Sequence, residues 1–205
     1  VARFIRITGL VQGVGFRPTV FVVAHELNLT GEVFNDAEGV GLTIEGAPEN
    51  VNDFERLLRE KLPALARIDT FVAKDVPVSH FKAFSITESR AGKVSTNITP
   101  DAATCRACLE DIFTESNRRY RYAFTNCTHC GPRYTITRHL PYDRVQTAMA
   151  TFKMCPACQT EYTDPLDRRF HAQPNACPTC GPELRFTDMA GNEITGDPLF
   201  LAAQA

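Results

Sequence analysis

Eight cysteines carry most of the chemistry open to this 205-residue chain. They fall as four Cys-x-x-Cys pairs, Cys105/Cys108, Cys127/Cys130, Cys155/Cys158 and Cys177/Cys180, with eighteen residues between the first two pairs and eighteen between the last two. Zinc takes four soft or borderline ligands in a tetrahedron. A Cys-x-x-Cys knuckle supplies two thiolates from one turn, and a second knuckle closes the shell. The spacing therefore predicts two structural Zn2+ ions held by all eight thiolates. Four-cysteine shells leave no open coordination position, so neither metal is expected to do catalysis. Pairing within each repeat is expected, with crossed pairing of outer and inner knuckles as the alternative. Disulfides fit poorly in a chain with no export signal, and four matched dithiols do not suit one redox motif. His129, inside the second knuckle, and His171 are then not needed as ligands and read as structural or substrate-facing.

The second constellation is the segment Val11-Gln12-Gly13-Val14-Gly15-Phe16-Arg17-Pro18. Two glycines between a strand and a helix let backbone N–H groups converge, and the helix N-terminus adds positive potential. Arg17 at the junction can grip a phosphate through two parallel hydrogen bonds. Gln12, Gly13, Val14, Gly15, Phe16 and Arg17 are thus candidate phosphate-binding residues, against the plain alternative of turn glycines. No Lys-Ser/Thr follows as in a nucleotide-binding P-loop, and Pro18 breaks any dinucleotide fingerprint.

The elements that must hold these groups divide the chain by composition. Residues 1–90 contain no cysteine, 91–100 read as a small, polar linker, 101–185 hold the cysteines, and 186–205 form a tail. A strand is expected over Arg3 to Thr8, ending at Gly9, with Phe4, Ile7 and Val11 among its apolar residues. A helix follows, with Pro18 in its first turn, to about Asn28, with Val20, Phe21, Val23, Ala24 and Leu27 on its apolar face. Gly31–Asn35 and Val40–Ile44 flank a four-residue turn. A second helix over Glu49–Lys61 buries Val51, Phe54, Leu57 and Leu58, and strands follow near Ile68–Lys74 and Phe84–Thr87. The order βαββαβ plus a terminal strand predicts an α+β, ferredoxin-like sandwich with its helices on one face. In the cysteine region Arg118-Arg119-Tyr120 recurs fifty residues on as Arg168-Arg169-Phe170, and Cys130-Gly131-Pro132 as Cys180-Gly181-Pro182. One small module has been duplicated.

Charge and hydropathy exclude several classes. Lys+Arg is 22 against Asp+Glu 24, a net −2, and no apolar run exceeds five residues, the length of Val20 to Ala24. No membrane partner is expected, and the chain is placed in the cytoplasm. Arg118, Arg119, Arg121, Arg133, Arg138, Arg144, Arg168 and Arg169 crowd the cysteine region and admit a nucleic-acid-binding reading. With near-zero net charge, they fit better as counter-charges that offset thiolates and link the modules.

The string Gly-x-Val-Gln-Gly-Val-Gly-Phe-Arg resembles the signature of acylphosphatases over about residues 3–88, and the element order agrees with their fold. The resemblance implies that the loop amides and Arg17 hold a phosphoryl group and that Asn35, closing Gly31–Asn35, orients the attacking water. No cofactor is then required for hydrolysis, because a carboxylate-type leaving group departs easily.

The strings Pro100–Cys105, Asn126–Arg133 and Asp167–Pro174, with the acylphosphatase-like head, resemble the N-terminal part of the HypF family, carbamoyltransferases of [NiFe]-hydrogenase maturation. The resemblance covers essentially the whole chain. It implies carbamoyl phosphate as substrate, hydrolysed to carbamate and phosphate. ATP-dependent transfer to the C-terminal cysteine of a partner hydrogenase-maturation protein follows, on the way to the cyanide ligands of the hydrogenase iron. ATP and Mg2+ would enter only through downstream domains, and the capped apolar start Asp197–Ala205 reads as the edge of the next one. The competing expectation is a non-enzymatic zinc-ribbon module that binds nucleic acid or protein, fused to an inactive acylphosphatase-like domain.

Overall fold

The computed structural model describes residues 1–90 and 99–205, so most of the expected linker lies outside the described residues. Strand β1 spans Ala2–Leu10 and turns Ile5 and Ile7, but not Phe4, fully into the core. It does not end at Gly9 as expected. Gly9 sits at φ 126°, where the register of the ladder shifts, and a Cβ there would lie 2.2 Å from the Arg67 carbonyl oxygen. The glycine is a bulge inside the strand rather than its stop.

Helix α1, Phe16–Glu26, starts two residues before Pro18, because left-handed Gly15 already turns the chain into it. Strands β2, Thr30–Asn35, and β3, Val40–Glu45, form the expected hairpin. Helix α2, Pro48–Glu60, buries Val51, Phe54 and Leu58, while Leu57 is only half-buried at the margin. Strands β4, Arg67–Val76, and β5, Phe84–Ile86, complete a sheet of order β4-β1-β3-β2-β5, antiparallel except where β5 runs parallel to β2. Residues of both helices join Ile5, Ile7, Val33, Leu42 and Ile44 in one apolar cluster, so the helices share one face of the sheet.

The duplication in the cysteine region is carried into its backbone. Helix α3, Arg106–Phe113, and helix α4, Pro156–Thr163, are offset by fifty residues, and each starts directly after the first cysteine of its knuckle. Arg121 and His171, again fifty apart, both have positive φ (57° and 52°). Their N–H groups donate to Ile112 O and Tyr162 O at 2.8 and 2.9 Å. Helix α5, Pro198–Gln204, is capped by Asp197 as expected, its side chain accepting from the N–H of Leu199 and Phe200.

Arginines tie the two modules together reciprocally. Arg118 and Arg119 of the first reach Glu161 of the second, both at 2.6 Å, while Arg168 and Arg169 of the second reach Asp111 of the first. Arg118 Nη2 also donates to Cys158 Sγ at 3.2 Å, and Arg168 Nη1 to Cys108 Sγ at 2.8 Å. Each module's guanidiniums thus neutralise the other's sulfur cluster. Arg119, Arg133 and Arg169 are at most 5% exposed, so these three point away from solvent and from any nucleic-acid backbone.

Candidate active site and metal centres

The bend between β1 and α1 holds a row of unpaid donors. Gly13 (φ 73°) and Gly15 (φ 79°) adopt backbone angles closed to most side chains. Among the described residues, none of the backbone N–H groups from Gly13 to Arg17 has a protein acceptor. The last two belong to the first turn of α1, where helix geometry leaves N–H groups unpaired. Five such donors in succession at a helix start form a nest for an anion.

Arg17, in that first turn, is buried beside the nest. Asn35 closes β2 and is also buried. Its amide oxygen faces Arg17, accepting from Nη2 at 3.2 Å and Nε at 3.1 Å, since the opposite orientation would set N–H against N–H. That leaves the amide N–H groups as the remaining donors of Asn35. The two residues that the resemblance singled out are thus in direct contact.

The cysteine region forms the other wall of the site. Gln12 ties the loop to both sides: its Nε2 donates to Asp36 O and Gly39 O at 2.7 and 2.9 Å, and its Oε1 accepts from Tyr142 N at 3.0 Å. Gln12 therefore braces the nest rather than lining it. Thr99, at the end of the expected linker, is buried and donates to Gln12 O at 2.6 Å. Arg133 Nε donates to Gly13 O, and a Cβ on Gly13 would come within 3.3 Å of the Arg133 Cδ. Phe21 of α1 meets Phe170 edge-to-face at 5.2 Å.

Arg17 Nη2 crosses to the same wall, donating to Asp143 Oδ1 at 2.7 Å and Tyr142 O at 3.2 Å. A small cavity of about 30 Å3 lies over the nest, bounded by Gly13, Gly15, Arg17, Asn35, Tyr142 and His171. An outer cavity of about 520 Å3 adjoins it, and Arg17, His171 and Gln173 line both. Burial, reinforced by the positive charge of Arg17, lowers the His171 imidazole to about 4, so it is neutral at physiological pH. His171 thus faces both cavities beside the nest, whereas His129 is exposed. The sequence reading missed Tyr142 and Asp143. They lie in the segment between the two modules and have no spacing signal of their own.

The sulfur geometry resolves the pairing left open above. Cys105, Cys108, Cys127 and Cys130 form one cluster and Cys155, Cys158, Cys177 and Cys180 the other, as expected for pairing within each repeat. All eight are free thiols. Contacts of 3.8 Å for Cys105–Cys127 and Cys127–Cys130, and of 3.7, 3.8 and 3.6 Å for Cys155–Cys177, Cys177–Cys180 and Cys158–Cys180, are far beyond a disulfide bond. A tetrahedron with metal–sulfur bonds of about 2.3 Å has edges of about 3.8 Å, so both clusters fit a tetrahedral thiophilic metal. Sulfurs this close compete for protons: hydrogen bonds with Cys127 and Cys130 push the Cys108 thiol up, and those with Cys108 and Cys130 push Cys127 down. A dication at the centre removes that conflict.

Comparison with known proteins agrees with this geometry. Residues 3–86 match the acylphosphatase family, and residues 104–137 and 154–187 each match the HypF finger. The chain is 52% identical over 204 residues to the carbamoyltransferase HypF of Rhodobacter capsulatus, covering 97% of this chain and 26% of that protein. The chain belongs to the HypF family. A crystal structure of full-length HypF in a phosphate- and nucleotide-bound form superposes with a TM-score of 0.91 at 41% identity, covering 99% of this chain and 27% of that one. The chain therefore spans about a quarter of the HypF proteins it matches. An acylphosphatase of Lactobacillus johnsonii is 36% identical over 83 residues, which is 91% of that protein but 40% of this chain.

Proposed function

We propose that this chain hydrolyses carbamoyl phosphate to carbamate and phosphate at the Gly13–Arg17 nest. The observation that carries the reading is the run of five unpaired backbone N–H groups with Arg17 and Asn35 in contact beside it. The amides and Arg17 neutralise the phosphoryl oxygens. Asn35 donates to and aligns a water in line with the bond to be broken. The water oxygen bonds to phosphorus, the phosphorus–oxygen bond to the acyl group breaks, and its electron pair leaves on carbamate. The water proton passes to the phosphate or to solvent. Carbamate is a stable enough leaving group that no metal is needed at phosphorus.

The two cysteine clusters each hold a Zn2+ in this reading, fixing the Asp101–Gln173 wall against the nest. Domain limits of 1–90 and 101–185, with 186–205 as a tail, follow from the same picture. In the HypF family context the carbamate is then activated with ATP and Mg2+, and the carbamoyl group passes to the C-terminal cysteine of a partner hydrogenase-maturation protein. Those steps belong to parts of the relatives beyond the quarter matched here. The test is phosphate release from carbamoyl phosphate by the zinc-loaded chain, with no ATP present. Release above the uncatalysed rate supports the reading, and release no faster than buffer rejects it.

A further inference from the structure

We propose that Asp143 determines substrate selectivity, recognising the amide –NH2 of carbamoyl phosphate and thereby selecting it over acyl phosphates that carry an alkyl group in its place. The inference rests on the function proposed above and deepens it.

The observation is how Arg17 is shared. Its Nη2 donates to Asp143 Oδ1, to the Tyr142 carbonyl and to the Asn35 amide oxygen, while among the described residues Nη1 reaches only Ser89 Oγ at 3.4 Å. A phosphoryl dianion seated on the nest competes directly with the Asp143 carboxylate for this guanidinium. Asp143 lines the outer cavity, and Arg17 stands between that cavity and the nest. An acyl phosphate with its phosphoryl group on the nest can extend past Arg17 into the outer cavity, towards Asp143 and the Tyr142 carbonyl. Both are pure acceptors. Tyr142 cannot move aside freely, because its N–H is held by Gln12 and its ring is buried over Gly13.

The exchange balances only for a substrate with donors at its acyl end. Carbamoyl phosphate takes Arg17 from Asp143 with its phosphoryl oxygens and returns two N–H groups to the carboxylate and the carbonyl. Acetyl phosphate has nearly the same size and shape but offers a methyl group. It would strip Asp143 of its cation and leave a carboxylate only about a fifth exposed with no partner. Sites built to hydrogen-bond a substrate N–H reject the isostere lacking it far more strongly than pockets that read size alone. The acceptors come from the cysteine region. The acylphosphatase family matches residues 3–86, and the Lactobacillus johnsonii acylphosphatase aligns over 83 residues, so that family's match includes nothing opposite Asp143.

The experiment compares kcat/KM for carbamoyl phosphate and acetyl phosphate in the zinc-loaded 205-residue chain and in its Asp143→Asn and Asp143→Ala variants. The expected result is a wild-type preference for carbamoyl phosphate that falls by roughly tenfold to a hundredfold in Asp143→Ala, with acetyl phosphate turnover unchanged or raised. Asp143→Asn retains an acceptor and should lie between. Zinc content and the melting curve of each variant establish that it is folded. Equal loss on both substrates would make Asp143 a support for Arg17 and overturn the proposal. Equal gain on both would make it a plug that blocks the nest without reading the acyl group, which also overturns it. If wild type hydrolyses neither substrate, the underlying function falls and this inference with it. If it hydrolyses both without preference, only the inference falls.

Discussion

At the scale of single residues, the site rests on one guanidinium and one amide. Arg17→Ala is expected to remove phosphate binding and acyl-phosphate hydrolysis together, since it deletes the charged half of the anion site. Asn35→Ala is expected to slow turnover by about a hundredfold while sparing most of the binding, because the nest and Arg17 remain. Titration with inorganic phosphate, beside steady-state rates, separates the two effects, and an Asn35→Ala variant turning over at the wild-type rate would remove Asn35 from the mechanism. Arg17 and Asn35 were legible in the sequence, one from the loop and the other only through family resemblance. Their mutual hydrogen bonds were not, because only the packing of α1 against β2 brings the two residues together. Asp143 was not legible at all. It lies 126 residues from Arg17 with no motif around it, and what brings it there is the Gln12–Tyr142 hydrogen bond.

At the scale of elements, the periodicity of the sequence specified both helices and the β2–β3 hairpin, since each buries one face of a single core. It misplaced the end of β1, because a bulge glycine and a terminating glycine look alike until the partner strand is known. Arg118, Arg119, Arg168 and Arg169 act as the counter-charges expected of the arginines, whereas Arg133 and Arg144 donate to backbone carbonyls instead, and the exchange between modules needs their three-dimensional order. Glu161 shows the energetic weight of that exchange. Burial alone would raise its carboxyl, yet hydrogen bonds from Arg119 and Arg118 hold it down to about 2. A depressed folded value means the stabilisation is fully present above the unfolded value of 4.5 and is lost as pH falls towards 2. The shift corresponds to about 3 kcal/mol. Glu161→Gln should flatten the loss of thermal stability between these pH values, whereas Glu115→Gln, at an exposed position, should not. Melting curves at pH 5.5 and 3 decide this, and identical acid sensitivity in the two variants would mean the Arg–Glu exchange is energetically idle.

At the scale of the whole molecule, two halves with different sources of stability meet at the nest. The sheet domain has its own large apolar cluster, while the cysteine region has only two small ones, Cys108 with Cys127 and Cys130, and Tyr122 with Met149 and Ala176. Two zinc ions per chain are therefore expected by elemental analysis. Chelation should unfold residues 101–185 and leave the sheet domain protected from hydrogen exchange. Loss of protection in β1 and β3 as well would show that the core depends on the metal-bound half. Chelation should also unseat Tyr142 and Asp143, so the site would lose its outer wall while keeping Arg17 and Asn35. The central claim is that water attacks phosphorus at the Gly13–Arg17 nest, and hydrolysis of carbamoyl phosphate in 18O-labelled water tests it most directly. The account predicts phosphate carrying one solvent oxygen, produced by the wild-type chain and not by Arg17→Ala. Unlabelled phosphate, which marks cleavage at carbon, or labelled phosphate formed equally fast by Arg17→Ala, would contradict it.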